Sequence, residues 1–174
     1  MAELKARKGK DQILLWRALK DAEKEKGFKL AFQEEHSVDA SIDGGESKAT
    51  KDGVINTDGS VLDEIPFTST MAYGDKIAEI LDNAFYDQEE LELWIVDVGQ
   101  KTEEDKYEAE YRQGKLDSFK KTAATEDTVV LEGNFKTNGV RQKGQVTLSK
   151  EQEETVQYAF RDTDIYKGSE VLGE

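Results

Sequence analysis

The clearest periodic segment runs YGDKIAEILDNAFYDQ (73–88), where Ile77, Ile80, Leu81, Ala84 and Phe85 recur at steps of three and four. That spacing gathers them on one face of an α-helix and turns Asp75, Glu79, Asp82 and Asn83 outward, so the helix should cover an apolar surface, most simply a sheet. A second, shorter helix is expected from Ser149 in LSKEQEETVQYAF. Ser149 and Gln152 have capping-box spacing, and Glu151, Glu153 and Glu154 suit the positive end of a helix dipole.

Between the two helices the period falls to two. LELWIVDV (91–98) is apolar on both alternating faces, as expected of a central strand covered on both sides, whereas KYEAEYRQG alternates through Tyr107, Ala109 and Tyr111. In GKLDSFKK the apolar Leu116 and Phe119 are three apart, which requires a bulge or bend near Gly114 or Asp117. TVVLEGNF keeps the period through Val129, Leu131 and Phe135, and Asn138-Gly139 is a hairpin signal before GQVTL. These pieces predict an antiparallel meander with a helix against it.

The N-terminal third is ambiguous. DQILLWRALKDAEKEKG reads as helix on propensity, with Asp11 as N-cap and Gly27 as stop. The alternative is a hairpin: strand Gln12 to Leu19, a charged turn, and a return strand Phe28 to Gln33. The four adjacent apolar residues Ile13 to Trp16 favour the hairpin. Pro66 in LDEIPFTST lacks a donor, so its segment should be an edge strand or be interrupted there. From about His36 to Ser60 apolar residues thin out and glycines accumulate, and so long a polar loop in a small domain is usually functional or disordered.

Composition narrows the function classes. A chain of 174 residues fits one ordinary domain, burying roughly 70% of its extended surface. Lys and Arg number 24 against 38 Asp and Glu, giving a formal net charge of -14, which argues against wrapping phosphates. The absence of Cys excludes disulfides and zinc–thiolate sites. The charged N-terminus and apolar runs no longer than four residues predict neither a secretion signal nor a membrane span.

Candidate chemistry is sparse, and no cofactor, metal or catalytic site is expected. Asp39, Ser41, Asp43 and Gly44 match half of an EF-hand loop, but its twelfth position is Thr50, where a bidentate Glu is required. His36, the single histidine, has no nucleophile or second ligand in a recognisable arrangement. The pairs Glu89-Glu90, Glu103-Glu104 and Glu153-Glu154 are adjacent and so do not face one another. GGESKAT lacks the spacing of a phosphate loop. The basic cluster KARKGK (5–10) reads as a terminal arm or intersubunit contact, and Tyr73, Phe85 and Trp94 read as core.

Several segments, in order, carry a resemblance over the chain to about Thr163: ILLWRALKDAEKEKGFKLAFQEEHSVD, SKATKDGVINTDG, GDKIAEILDNAF, ELELWIVDV, YRQGKLDSFKKTAATED and LSKEQEETVQYAFRDT. Together they resemble the major tail protein, or tail tube protein, of long-tailed non-contractile phages of Gram-positive hosts. The resemblance implies a mainly β fold, a β-sandwich or partly closed barrel with a flanking α-helix and a short C-terminal helix. It implies one tail-tube domain over 1–163, including a long assembly loop 36–60, and a C-terminal tail over 164–174.

By that resemblance the protein is a non-enzymatic virion component, assembled in the host cytoplasm, that stacks hexameric rings into a tube for DNA ejection. Its implied partners are further copies of itself and the tape measure, initiator and terminator tail proteins. DNA would pass through the lumen without specific binding, and no membrane is involved. Intersubunit contacts are expected at Lys48, Thr50, Lys51, Asp52 and Gly53 in the loop and at Lys8 and Lys10 in the N-terminal arm, with the loop ordered only in the tube. Deleting residues 40–56 should then spare the monomer and abolish tubes. The competing class is a monomeric β-sandwich binding module using the same loop. Residues 36–60 contain no Trp, Tyr or Phe, which disfavours a binding platform.

Overall fold

The computed structural model describes residues 3–150 and Gln152. Among the described residues, eleven strands and one full α-helix follow one another as β1 (Gln12–Ala18), β2 (Phe28–Lys29), β3 (Gln33–His36), β4 (Asp39–Asp43), β5 (Ser47–Thr50), β6 (Gly53–Asn56), β7 (Ser60–Thr70), α1 (Lys76–Tyr86), β8 (Leu91–Lys101), β9 (Tyr107–Thr122), β10 (Val130–Thr137) and β11 (Gln142–Val146). The main sheet is antiparallel, in the order β2-β1-β8-β9-β10-β7-β3, with β4 also along β7 and β11 also along β9. It curls into a half-barrel. The Gln33 side chain draws β1 and β3, from opposite parts of this order, together. Its amide donates to the Leu14 carbonyl at 2.6 Å and its oxygen accepts from the Leu14 amide at 2.9 Å, imitating a strand pair.

The apolar run at 13–16 forms a strand and not a helix, because alternate side chains meet two separate cores. Leu14 and Trp16 enter the inner core with Leu91, Leu93, Ile95, Leu116, Leu131, Phe135, Ile65 and Phe67. The Trp16 ring packs against Phe67 at 5.0 Å and edge-on to Phe135 at 5.7 Å. Ile13 and Leu15 enter the outer core with Val96, Val98, Tyr107, Ala109 and Leu148. Burying both faces stabilises β1 and β8 by about 1.5–3 kcal/mol per large side chain, which outweighs the helix propensity of the N-terminal segment.

Helix α1 covers the inner core through Ile77, Ala78, Leu81 and Ala84, with Ile80 and Phe85 partly buried. Asp75 does not look outward as expected. It is the N-cap: one oxygen accepts from the Ile77 amide at 3.0 Å and from the Ala78 amide at 3.4 Å, and the other accepts from the Ala31 amide at 2.9 Å. The capping box at the second predicted helix also forms. The Ser149 amide donates to Gln152 Oε1 at 2.8 Å and the Gln152 amide to Ser149 Oγ at 3.3 Å; the rest of that helix, the domain boundary at 163 and the tail lie outside the described residues.

Several expectations are corrected. The return strand after β1 is split: Phe28–Lys29 pairs with β1, and Gln33–His36 pairs with β7 instead. Asn138-Gly139 turns, with Gly139 at φ 68, but makes no hairpin. β10 and β11 lie one after the other along β9, since β9 is long enough to pair with both and the Asn138 amide is held by the Gln113 carbonyl at 2.7 Å. Pro66 lies inside β7, between β10 and the β3/β4 side. Its carbonyl accepts from the Ser37 amide at 3.0 Å, so its missing donor faces the gap between β3 and β4. Tyr73 is fully exposed and Val129 is largely out of the core.

The slipped alternation in β9 resolves at Asp117, where the register moves from Ser118 opposite Asn134 to Leu116 opposite Phe135. Gly114 serves a different need. A Cβ there would stand 2.0 Å from the Lys136 carbonyl oxygen, so only glycine lets β10 approach.

Candidate assembly surfaces

The polar stretch 36–60 is not an irregular loop. It forms a β-ribbon of paired strands. β4 pairs with the first residues of β7, Asp39 opposite Glu64 through Asp43 opposite Ser60. Beyond them β5 and β6 pair as a separate hairpin, Ser47 opposite Asn56 through Thr50 opposite Gly53. The hairpin extends this ribbon past the sheet, and every residue from Ser37 to Asp58 is exposed. Between base and tip the Glu46 carbonyl accepts from the Thr57 amide at 2.8 Å, while Gly59 packs so closely that a Cβ would lie 2.4 Å from the Asp43 oxygen.

The sequence-predicted loop residues converge at the tip. Lys51 and Asp52 form the two-residue turn, Thr50 Oγ1 donates to the Gly53 carbonyl at 2.7 Å, and Gly53 adopts φ 133. Lys48 is exposed on β5. Lys8 and Lys10 belong to another surface, around the 3-10 turn Gly9–Asp11. Nearby Arg7 reaches Asp97 at 3.7 Å and Glu108 at 3.8 Å. Sequence reading missed the exposed Ile42, Val54 and Ile55 on the arm, although the alternation of Val38, Ala40 and Ile42 with Asp39, Ser41 and Asp43 was available as a strand signal.

Two charged clusters show how the rest of the polar inventory is used. At the end of the half-barrel nearest the arm, fully buried Arg112 donates from Nε to Asp63 at 2.8 Å and lies 2.9 Å from Glu110. Glu110 also meets Arg141 at 3.1 Å, beside an open cleft of about 700 Å³ whose charges largely pair with one another. On the outer face, buried Glu92 accepts from Arg17 and from the Tyr111 hydroxyl, with the Arg17 guanidinium 5.0 Å from the Trp94 ring centre. The Tyr111 hydroxyl is raised above its ordinary pKa, first by burial and then by its bond to Glu92. His36, on β3, is lowered by burial.

Neither of these clusters, among the described residues, arranges a nucleophile beside a base. Asp39, Ser41 and Asp43 lie on extended strand β4 rather than a calcium loop. Among the described residues no group of three or more His, Cys, Asp or Glu side chains is placed to hold a metal ion. The exposed features are instead a projecting ribbon, strand edges and apolar side chains at the ends of the half-barrel.

The curled antiparallel half-barrel with its packed helix closely matches the structures of phage tail tube proteins. The structure is similar to the SPP1 tail tube subunit, with a TM-score of 0.76 and 21% identity over 97% of this chain and 96% of that one. It is also similar to a chain of the tail of an empty gene transfer agent particle, with a TM-score of 0.62 and 13% identity over 79% of this chain and 98% of that one. A chain of the anti-feeding prophage baseplate matches with a TM-score of 0.54 and 7% identity over 85% of this chain and 99% of that one. No family model matches.

In sequence, the chain is 31% identical over 170 residues to a protein of Staphylococcus phage phiMR25 provisionally named as a tail protein, covering 94% of this chain and 86% of the relative. The chain belongs to that family of phage tail proteins. It is a structural component of the tail, with the fold of the tail tube subunit of long-tailed non-contractile phages.

Proposed function

We propose that this protein builds the tail tube, closing into hexameric rings that stack into the hollow conduit for DNA ejection. The observation that carries the reading is the likeness to the SPP1 tail tube subunit over 97% of the chain. The six-fold symmetry of the gene transfer agent tail supports the ring number. Rings close through a heterologous contact and stack along an open axis, so adhesive edges and arms are needed rather than a pocket. The arm residues Lys48, Thr50, Lys51, Asp52 and Gly53, with Lys8 and Lys10, take part in intersubunit contacts. Residues 1–163 act as one domain, with the arm at 36–60 serving assembly and 164–174 a tail.

Assembly takes place in the host cytoplasm with tape measure, initiator and terminator proteins. A net charge of -14 per chain suits a lumen through which phosphates slide without finding counter-charges. Negative-stain electron microscopy of the concentrated protein, alone and with the tail initiator complex of its phage, tests the proposal. Hollow tubes with six-fold end views are expected; uniform monomers under both conditions overturn it.

A further inference from the structure

Strand β7 joins two different exposed surfaces. At its N-terminal end Ser60 pairs with Asp43 at the base of the arm. At its C-terminal end the Thr70 amide donates to the Phe32 carbonyl at 3.1 Å and the Met71 amide to the Val129 carbonyl at 2.8 Å. These bonds place Phe32 and Val129 on either side of the departing chain, with Tyr73 two residues further on. Phe32 is 65% exposed, Tyr73 fully so and Val129 36%. Phe32 holds this position at φ 49, a left-handed conformation that costs a bulky residue free energy. Around the apolar patch stand acids: Glu34, which accepts from the Thr70 hydroxyl, and exposed Glu126 and Asp127 in the turn before β10.

The arm tip carries the complementary chemistry. Ile55 is 57% exposed and pairs across the hairpin with Lys48, so an apolar side chain and an ammonium share one face. Lys51 stands in the turn beside them, against one acid, Asp52. Residues 47–56 thus carry two lysines against one acid, a local positive excess in a chain of net charge -14.

We propose that the Phe32–Tyr73–Val129 patch receives the arm tip of a second copy of this chain, with Ile55 on the apolar surface and Lys48 and Lys51 facing Glu126 and Asp127. A chain's own tip does not serve. The 11 residues of β7 put about 35 Å between the base of its arm and its own patch, and the hairpin continues past the opposite end of the strand. A contact joining one end of each copy to the other end of the next is heterologous, and directed along the tube axis it repeats without closing and produces a stack. This docking rests on the proposed tube and names the surface that receives the arm.

The cysteine-free chain makes the test clean. Ile55→Cys and Tyr73→Cys are combined in one chain, tubes are assembled under reducing conditions and then oxidised, and products are separated on a non-reducing gel. A ladder of covalent multimers is expected from the double variant, with each single variant running as a monomer. As a second measurement, Glu126→Lys with Asp127→Lys should reduce the yield of tubes at least tenfold, and Lys48→Glu with Lys51→Glu in the same chain should restore it. Tubes that form from the double-cysteine variant without a ladder overturn the docking and leave the tube standing. Failure of the unaltered protein to form tubes overturns both.

Discussion

At the residue scale, two polar groups set conditions on the monomer. Arg112 is fully buried against Asp63, so Arg112→Ala leaves the Asp63 carboxylate without its partner in the half-barrel. Removing one member of such a pair costs about 3–5 kcal/mol. Urea denaturation of Arg112→Ala should show a loss of that order, and Asp63→Ala in the same chain should recover a good part of it. Equal stability of the single and double variants would show that the pairing itself matters little.

His36 adds a pH dependence. Burial lowers its folded pKa below the ordinary value near 6.5, so the unfolded chain binds the proton more readily. The stability linked to neutral His36 is therefore complete above about pH 6.5 and is lost as pH falls through the folded value. Melting temperatures between pH 7.5 and 5 should fall more for the unaltered protein than for His36→Gln. Parallel curves would remove His36 from the account.

At the scale of elements, the arm is the part whose role separates most cleanly from folding. β4 contributes to the main sheet through β7, so removing 40–56 would strip an ordered pairing as well as the tip. Removing 46–57 is cleaner, because it leaves Gly44, Gly45, Asp58 and Gly59 as a four-residue connection between paired Asp43 and Ser60. This variant should melt within about 2 °C of the parent, since every deleted residue is exposed, and should form no tubes by electron microscopy. Helix α1 behaves oppositely. Asp75→Ala removes the cap and the bond to Ala31, and should destabilise the monomer by about 1–2 kcal/mol in thermal or urea unfolding.

At the scale of the whole molecule, charge opposes association. Each chain brings a formal -14, and bringing many chains together crowds that charge unless salt screens it. Raising ionic strength from about 50 mM to 500 mM shortens the screening length several-fold and should lower the concentration at which tubes appear, measured by light scattering. Dissolution of tubes at high salt would instead show that specific ion pairs dominate over net repulsion.

The sequence by itself determined the local elements whose patterns were strong. The face of α1, the doubly buried β8, the capping box at Ser149 and the bulge at Asp117 follow from side-chain periodicity and backbone chemistry within a few residues. Tertiary structure decided what those rules do not contain. Asn138-Gly139 specifies a turn but not the partner of the next strand, and β9 was long enough to take both neighbours. Pro66 forbids one hydrogen bond, and the sheet met that restriction by breaking the adjacent edge between β3 and β4 rather than by exposing β7. Exposure of Tyr73 and the pairing of Arg112 with Asp63 depended on which distant strands came to lie side by side. The ordered series of segments carried the tail tube resemblance, but the direction of the arm and the surface at the opposite end of β7 exist only once the sheet has curled.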